Sequence, residues 1–236
     1  MRKRKNHYRS VAVTALPLPT YRCRKTPRPP VIDGVIEPEV WDLAEPISMV
    51  LTHTGKRPRQ ATEARMLYDD KCLYVAFHCI DDDVWGTMTD HDALICREEV
   101  VEVFCDPSGR RRAYIEIEVS PLNTVYDLFV VNDPRCPPGR PMAQWNCVGL
   151  RTAVHIQRKP DRGFEYWDCE MAIPMNQMHD AANIPPKPGD RWAINLYRID
   201  RARDCDEYGA WSPTGAINYH KPERFGNMVF LAAGEK

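Results

Sequence analysis

The sequence contains no run of 18 apolar residues, the length a membrane-spanning helix requires. It also lacks GxSxG, HExxH and a glycine-rich phosphate loop, which mark common hydrolases, zinc peptidases and nucleotide-binding enzymes. Glu98, Glu99 and Glu102 lie close together, but no spacing marks two of them as the acid and base of a glycosidase. We therefore predict a protein without a membrane span and without catalysis of its own.

Metal-binding cysteine spacings are missing as well. None of the nine cysteines forms a CxxC pair, and no cysteine–histidine group has zinc-finger spacing. Cys79, Cys105 and Cys169 lie in apolar strand-like runs, where a free thiol behaves as a small hydrophobic group. We predict that most cysteines are reduced core residues. A disulfide between Cys136 and Cys147 is the alternative if the protein is exported.

Acidic residues are missing from the first 30 positions, which hold nine Lys and Arg. The remaining residues hold 23 basic and 33 acidic side chains, so the body is acidic. Residues 1–30 are rich in proline and lack any structural period, which predicts a basic, flexible arm before a domain at residues 31–236. The acidic body argues against a nucleic-acid partner. The apolar VAVTALPLP run contains two prolines and no small-residue cleavage site, so it is not a convincing signal peptide.

Long amphipathic helices are absent, and short runs with a period near two take their place. The clearest are ARMLYD, CLYVAFHCID, VVEVFCD, AYIEIEVS, TVYDLFVV, EYWDCEMAIP, WAINLYRID and NMVFLA. Glu116 and Glu118 alternate with apolar residues, which is typical of an antiparallel sheet with one buried face. We predict an all-β, antiparallel two-sheet sandwich of jelly-roll or immunoglobulin-like type. Trp41, Trp167 and Trp192 are predicted core residues.

Two aromatic residues stand in the loop AWSPTGAINYHKPERFGNMVF, residues 210–230, ahead of the last strand. An exposed ring can stack on the apolar face of a sugar, while carboxylates, amides and arginine pair with its hydroxyls. Tyr219, beside His220, Lys221 and Arg224, has the surroundings of such a ring. The loop therefore predicts a carbohydrate site.

Six segments in order resemble the family 9 carbohydrate-binding modules, in particular stand-alone family 9-like proteins. They are IDGVIEPEVWDLAEP, ARMLYDDKCLYVAFHCIDDD, REEVVEVFCDPSGRRRAYIEIEVSPLNTVYD, FEYWDCEMAIP, PGDRWAINLYRIDR and EYGAWSPTGAINYHKPERFGNMVF. The resemblance covers about residues 31–231. It implies a β-sandwich that binds glucose- or xylose-type sugars, or polysaccharide ends, in support of separate glycoside hydrolases. It also implies an extracellular or periplasmic location and structural calcium.

The resemblance implies a site of two aromatic rings above a carboxylate with amide or arginine groups. Tyr219 stands at the place of one ring and Glu102 at the place of the carboxylate. Cys96 stands where the family has the other ring, a tryptophan, so Trp85 or Trp145 would have to supply it. The family's arginine on the next strand is missing too, with Glu116 or Glu118 near its place.

Three further residues complete the predicted carbohydrate site. Trp211 either packs under the loop or joins the site, while Asn195 and Arg198 on the WAINLYRID run supply further contacts. The expected ligands are mono-, oligo- or polysaccharides.

Calcium prefers oxygen ligands, and Asp81, Asp82 and Asp83 are its candidate ligands here, with a solvated turn as the alternative. Two other functions stay open. One is a haem-binding electron-transfer sandwich, given seven His and nine Met but no CxxCH motif. The other is an interaction domain whose sugar site has decayed, as the cysteine at position 96 suggests.

Overall fold

The computed structural model describes residues 17–132, 140–142, 145–159, 164–201 and 205–235. The strands are β1 Thr20–Lys25, β2 Ile47–Ser48, β3 Val50–Leu51, β4 Thr62–Tyr68, β5 Cys72–Asp81, β6 Val100–Asp106, β7 Ala113–Val119, β8 Val125–Val131, β9 Arg140–Met142, β10 Arg151–Lys159, β11 Phe164–Pro174, β12 Arg191–Arg201, β13 Asp206–Ala210 and β14 Gly226–Phe230. Helical structure in the described part is limited to one turn, α1 Pro38–Trp41, and three 3-10 turns at Ile95–Arg97, Met175–Gln177 and Pro222–Arg224. The all-β prediction is confirmed, and each of the eight predicted runs coincides with a strand.

Hydrogen bonding joins eleven of the strands in one continuous path, β10-β11-β5-β4-β1-β14-β12-β6-β7-β8-β9, while β13 pairs with β12 and β3, and β2 pairs with β4. Neighbours along this path are antiparallel except at β1, which pairs in parallel with β14 on one side and β4 on the other. The prediction of a wholly antiparallel arrangement is therefore wrong at β1. No helix among the described residues has the length and hydropathy needed to cross a bilayer.

The predicted arm, residues 1–30, contains the strand β1, which belongs to the sheet. Tyr21 and Cys23 on this strand are buried. The Tyr21 hydroxyl donates a hydrogen bond to the carbonyl oxygen of Met66, at 2.9 Å. The strand has the short alternation TYRCRK. This pattern was overlooked because the residues around it are rich in basic side chains and proline. Residues 1–16 of the predicted arm lie outside the described residues.

The principal core draws its residues from both halves of the strand path. Its members on one half include Met66, Phe77, Trp167 and Met171, and on the other half Val103, Ile117, Trp192 and Phe230. The assignment of the three tryptophans to the interior is confirmed, since Trp41 is buried in a smaller cluster with Val40 and Ala44 beneath α1. The eight cysteines in the described part of the chain are free thiols, and five of them are buried.

Both faces of several strands are buried, contrary to the prediction of one solvated face. Glu170 on β11 accepts a hydrogen bond from Trp41 Nε1 at 2.7 Å and another from the backbone N–H of Gly34 at 2.9 Å. The chain around Gly34 and the turn α1 thus cover this face. On β7, a second apolar cluster that includes Phe104 and Tyr197 covers the face that carries Glu116 and Glu118.

Replacing Tyr21 by alanine should show that β1 belongs to the fold. The change removes a buried ring and the hydrogen bond to Met66, so we expect a loss of about 3 kcal/mol in the free energy of unfolding. Arg22→Ala is the matched control, because Arg22 lies on the opposite face in an exposed ion pair with Glu235. It should change stability by no more than about 0.5 kcal/mol. Equal urea midpoints for the two variants would refute this role of β1.

Candidate functional site

A cavity of about 590 Å³ opens over β6, β7 and β8, beside the loop that precedes β14. Its lining residues are Cys96, Glu102, Phe104, Glu116, Glu118, Tyr126, Leu128, Val130, Ile199, Tyr208, Ile217, Asn218, Tyr219 and His220. Register places Glu102 on β6 directly opposite Glu118 on β7. Glu118 is in turn opposite Tyr126 on β8. Because directly opposite residues share a face, the sheet itself gathers these side chains.

Three carboxylates form the floor of the cavity. Glu102, Glu116 and Glu118 are only 2%, 4% and 2% exposed. One oxygen from each lies within 4.8 Å of the other two. Glu102 Oε1, Glu116 Oε2 and Glu118 Oε2 have no hydrogen-bond partner among the described residues. The floor is therefore an acidic group whose hydrogen-bonding capacity is only partly used.

Burial and mutual repulsion shift the acid–base behaviour of this floor. Burial, with the charges of Glu118 and Glu116, raises the pKa of Glu102 well above its ordinary value. Burial and the neighbouring Glu118 do the same to the pKa of Glu116. Burial raises the pKa of Glu118 to about 7. Hydrogen bonds with Glu116 and with the Cys96 backbone act in the opposite direction and offset part of this increase. This environment therefore favours protonated carboxyl groups.

Tyr219 lines the cavity as a buried wall and is not the exposed ring that the sequence predicted. It is 8% exposed. Its ring stacks on Tyr197, with centroids 4.0 Å apart and planes 12° from parallel. Its hydroxyl donates to the carbonyl oxygen of Arg198 at 2.8 Å. The surrounding strands hold the ring in place, so Tyr219 also contributes to the core.

Cys96 lines the same cavity from the 3-10 turn before β6. Its carbonyl oxygen accepts a hydrogen bond from Arg201 Nη2 at 3.0 Å. The structure thus brings Cys96, Glu102 and Tyr219 together in one cavity. Neither alternative tryptophan lines the cavity: Trp85 donates its Nε1–H to the carbonyl oxygen of Arg201, and Trp145 packs against the principal core.

Trp211 and Asn195 lie outside the cavity lining and support the loop from behind. A Cβ atom at Gly226 would lie 2.5 Å from the Trp211 ring, so the indole lies directly on that backbone. The buried Asn195 Nδ2 donates to the Tyr197 hydroxyl at 2.7 Å and to the carbonyl oxygen of Ser212 at 2.8 Å. For Trp211 this matches the packing alternative, whereas Asn195 acts on Tyr219 only through Tyr197.

Arg198 is buried in another part of the fold. Its Nη2 lies 2.6 Å from Asp81 Oδ2 and 3.5 Å from Asp200 Oδ2. The sequence prediction of a sugar contact at Arg198 therefore disagrees with its position. The guanidinium instead neutralises part of a buried cluster of Asp81, Glu99 and Asp200. Burial raises the pKa of Glu99 to about 10 and that of Asp200 to about 6.

The three candidate calcium ligands do not converge on one point. Asp81 is buried, whereas Asp82 is exposed and Asp83 is half-buried. Both oxygens of Asp81 are engaged, because Oδ2 pairs with Arg198 and Oδ1 accepts the backbone N–H of Asp83 at 2.8 Å. Asp81 thus does not fit as a calcium ligand.

Several cavity residues were not among the predicted site residues. Tyr126, Leu128 and Val130 alternate along β8, and this period could have placed them on the face of Glu118. His220 lies at the rim, with Nδ1 2.8 Å from the Tyr114 hydroxyl and 3.7 Å from Glu116 Oε2. Tyr208 on the short strand β13 had no usable pattern in the sequence.

A larger depression, of about 940 Å³, lies where β1, the β4–β5 turn and the segment after β14 meet. Basic side chains line much of it, among them Arg24, Lys25, Lys71 and Arg151. None of the predicted site residues reaches it. The cavity over β6–β8 is therefore the candidate functional site despite its smaller volume.

Glu118→Gln should remove a pH-dependent loss of stability. The pKa of Glu118 rises from its ordinary 4.5 to about 7 in the folded protein. The folded state thus holds a proton that the unfolded state releases, and this stabilisation is complete below about pH 4.5 and lost as the pH approaches about 7. Between about pH 5 and pH 8, the free energy of unfolding of the parent should fall by on the order of 2 kcal/mol more than that of the variant.

Urea unfolding measures this difference, with Glu63→Gln on β4 as the control. Parallel pH profiles of parent and Glu118→Gln would contradict the assignment.

Comparison with known proteins gives one curated relative and several similar structures. A protein named "Extracellular protein" from Arthroderma benhamiae is 23% identical over 226 residues, covering 84% of this chain and 91% of its own length. A protein from Bacteroides uniformis, proposed to bind carbohydrate, has a TM-score of 0.71 at 16% identity and covers 91% of this chain and 100% of its own.

A family 9 carbohydrate-binding module from Caldicellulosiruptor kristjanssonii has the same fold. Its complexes with cellotriose and with glucose give TM-scores of 0.59 and 0.58, each at 15% identity. They cover 92% and 91% of this chain, and 95% and 98% of the module. The profile described as "Carbohydrate family 9 binding domain-like" matches residues 32–232, which is most of the chain. The chain belongs to the carbohydrate family 9 binding domain-like family.

Proposed function

We propose that this protein binds carbohydrate without catalysis, in the cavity over β6, β7 and β8. The observation that carries the proposal is the meeting of Cys96, Glu102 and Tyr219 in one cavity. Tyr219 lies far from Cys96 and Glu102 in the sequence. By the family resemblance, each of the three stands at a place that the family's sugar site uses. The cavity offers both elements that a sugar requires, aromatic walls for its C–H face and carboxylates for its hydroxyls.

Glucose- or xylose-type sugars, or polysaccharide ends, are the ligands that we propose. Support comes from the Caldicellulosiruptor module, which is seen with cellotriose and with glucose. Glu102 Oε1, which lacks a partner in the described structure, would accept a hydrogen bond from a sugar hydroxyl. The role would be to support separate glycoside hydrolases outside the cell, in line with the name of the Arthroderma relative.

Cys96→Trp tests the location of the site. The family has a ring at this place, and a restored ring should add about 0.5–1.5 kcal/mol of stacking. We expect cellotriose or glucose to bind about threefold to tenfold more tightly in calorimetric titration. Cys96→Ala is the matched control, because it removes the thiol without adding a ring, and it should not tighten binding.

The Trp variant must stay folded for this comparison, which its melting temperature and near-UV circular dichroism report. A folded Trp variant with unchanged affinity would place sugar binding elsewhere. Absence of carbohydrate binding in both parent and variant would instead favour an interaction domain with a decayed site.

Structural calcium is a separate proposal, which rests on the family resemblance. Since both oxygens of Asp81 are engaged, Asp82 and Asp83 with nearby carbonyl groups would have to hold the ion. An ion bound only to the folded state stabilises it by mass action. On this proposal a chelator lowers the melting temperature, and calcium but not magnesium restores it. An unchanged melting temperature after chelation would reject structural calcium.

A further inference from the structure

The cavity is lined by more acidic side chains than a neutral sugar requires. Among the described lining residues there are three carboxylates and no lysine or arginine. The family pattern has an arginine on the strand after the carboxylate, and Glu116 and Glu118 occupy that strand here. The cavity has therefore gained acidic side chains at the place where a balancing cation is expected.

Nearby basic groups are already engaged or neutral. Arg201 lies close enough to lower the pKa of Glu102. Its guanidinium is nevertheless paired with Asp206 and also donates to the Tyr208 hydroxyl at 2.6 Å. Desolvation lowers the pKa of the His220 imidazole from its ordinary 6.5, so this ring is mostly neutral at pH 7. The carboxylates thus have no strong cationic partner within the described residues.

The three buried carboxylates line the cavity and also lie close to one another. Glu102 is almost completely buried, lines the cavity, and presents Oε1 without a hydrogen-bond partner. Glu116 and Glu118 each present one such oxygen. Leaving buried polar oxygens unsatisfied costs free energy, and a bound group with several N–H donors would remove that cost.

The walls of the cavity distinguish an organic cation from a bare metal ion. Tyr126, Tyr208 and Tyr219 line it together with Leu128 and Ile199. A metal ion would use the oxygens of the floor but would leave these walls without a function. A ring that carries an ammonium group would use both, because ammonium donates to the carboxylates while the ring packs against the aromatic and aliphatic walls.

We propose that the cavity selects a cationic amino sugar, a pyranose whose protonated amine lies among Glu102, Glu116 and Glu118. The inference rests on the proposed function, because it names the class of sugar for the same site. The ammonium group supplies three N–H donors, and the floor offers three unpartnered carboxylate oxygens. The sugar ring occupies the space between the tyrosines.

A matched ligand series tests the charge of the sugar. Cellotriose, the trisaccharide of β-1,4-linked glucosamine and its fully N-acetylated form share one backbone and differ in the group at C2. At pH 7 we expect the glucosamine trimer to bind at least about tenfold more tightly than the other two, because its hydrogen bonds are charge-assisted. Added salt should weaken its binding while leaving cellotriose binding nearly unchanged.

Two variants connect that preference to the floor. Glu116→Gln and Glu118→Gln keep the size of the side chain and remove its charge, so each should reduce binding of the glucosamine trimer about tenfold. Their affinity for cellotriose should change less than about threefold, and Glu63→Gln on β4 should change neither. Two carboxamide variants keep the test open if one of them fails to fold.

Each contrary result has a distinct meaning. Equal affinity for cellotriose and the glucosamine trimer overturns the amino-sugar inference and leaves carbohydrate binding intact. Absence of binding by all three sugars overturns the proposed function as well. A glucosamine preference that survives in both variants would place the amine elsewhere. Tight binding of calcium, magnesium or zinc alone, lost in Glu116→Gln, would make the floor a metal site and overturn the inference.

Discussion

Burial of β7 on both faces is the constraint on which the candidate site depends. Side chains along a strand alternate between its faces, so packing Ile115 and Ile117 into the principal core sends Glu116 and Glu118 to the other side. Ile95, Tyr219 and Phe225, which come from turns and loops outside the strands, cover that side. A carboxyl group buried in such a place costs free energy unless it is protonated or, when ionised, hydrogen-bonded or paired with a cation. Burial raises the pKa of Glu116 and Glu118, so protonation offsets part of this cost.

The loop before β14 carries aromatic side chains because they fix its position. Trp211 rests on the backbone of Gly226, where any larger residue would collide with the ring. Asn195 orients Tyr197, whose ring stacks on Tyr219 and whose hydroxyl donates to the Tyr219 carbonyl oxygen at 3.1 Å. A wall built in this way is rigid before a ligand arrives, which lowers the entropy lost on binding.

Alternation along the chain predicted β4 to β8, β11, β12 and β14, but the nine-residue β10 was not among the predicted runs. It could not show that the polar face of β7 is covered, since that depends on loops and turns that return from residues 95 and 219. The strand Thr20–Lys25 was missed for a related reason: its parallel partners, β14 and β4, lie far away in the sequence. The family resemblance implied one site for Cys96, Glu102 and Tyr219, and these residues line one cavity. The further contact predicted for Arg198 from its strand is not there, because Arg198 is buried with Asp81. Local sequence does not reveal which of two buried acidic clusters an arginine will neutralise.

The departures from the family pattern all lie in this cavity, but they point to opposite conclusions about whether it binds a ligand. A cysteine in place of a ring removes a stacking surface, as expected of a site that has lost its function. Three buried carboxylates, in contrast, carry a cost that a decayed site need not keep, because replacement of buried charged groups by apolar residues of similar size is frequently neutral or stabilising. Proteins commonly keep such costs where function requires them. The retention of Glu102, Glu116 and Glu118 therefore supports a cavity that prefers a sugar of different charge. It does not support a cavity that has lost binding.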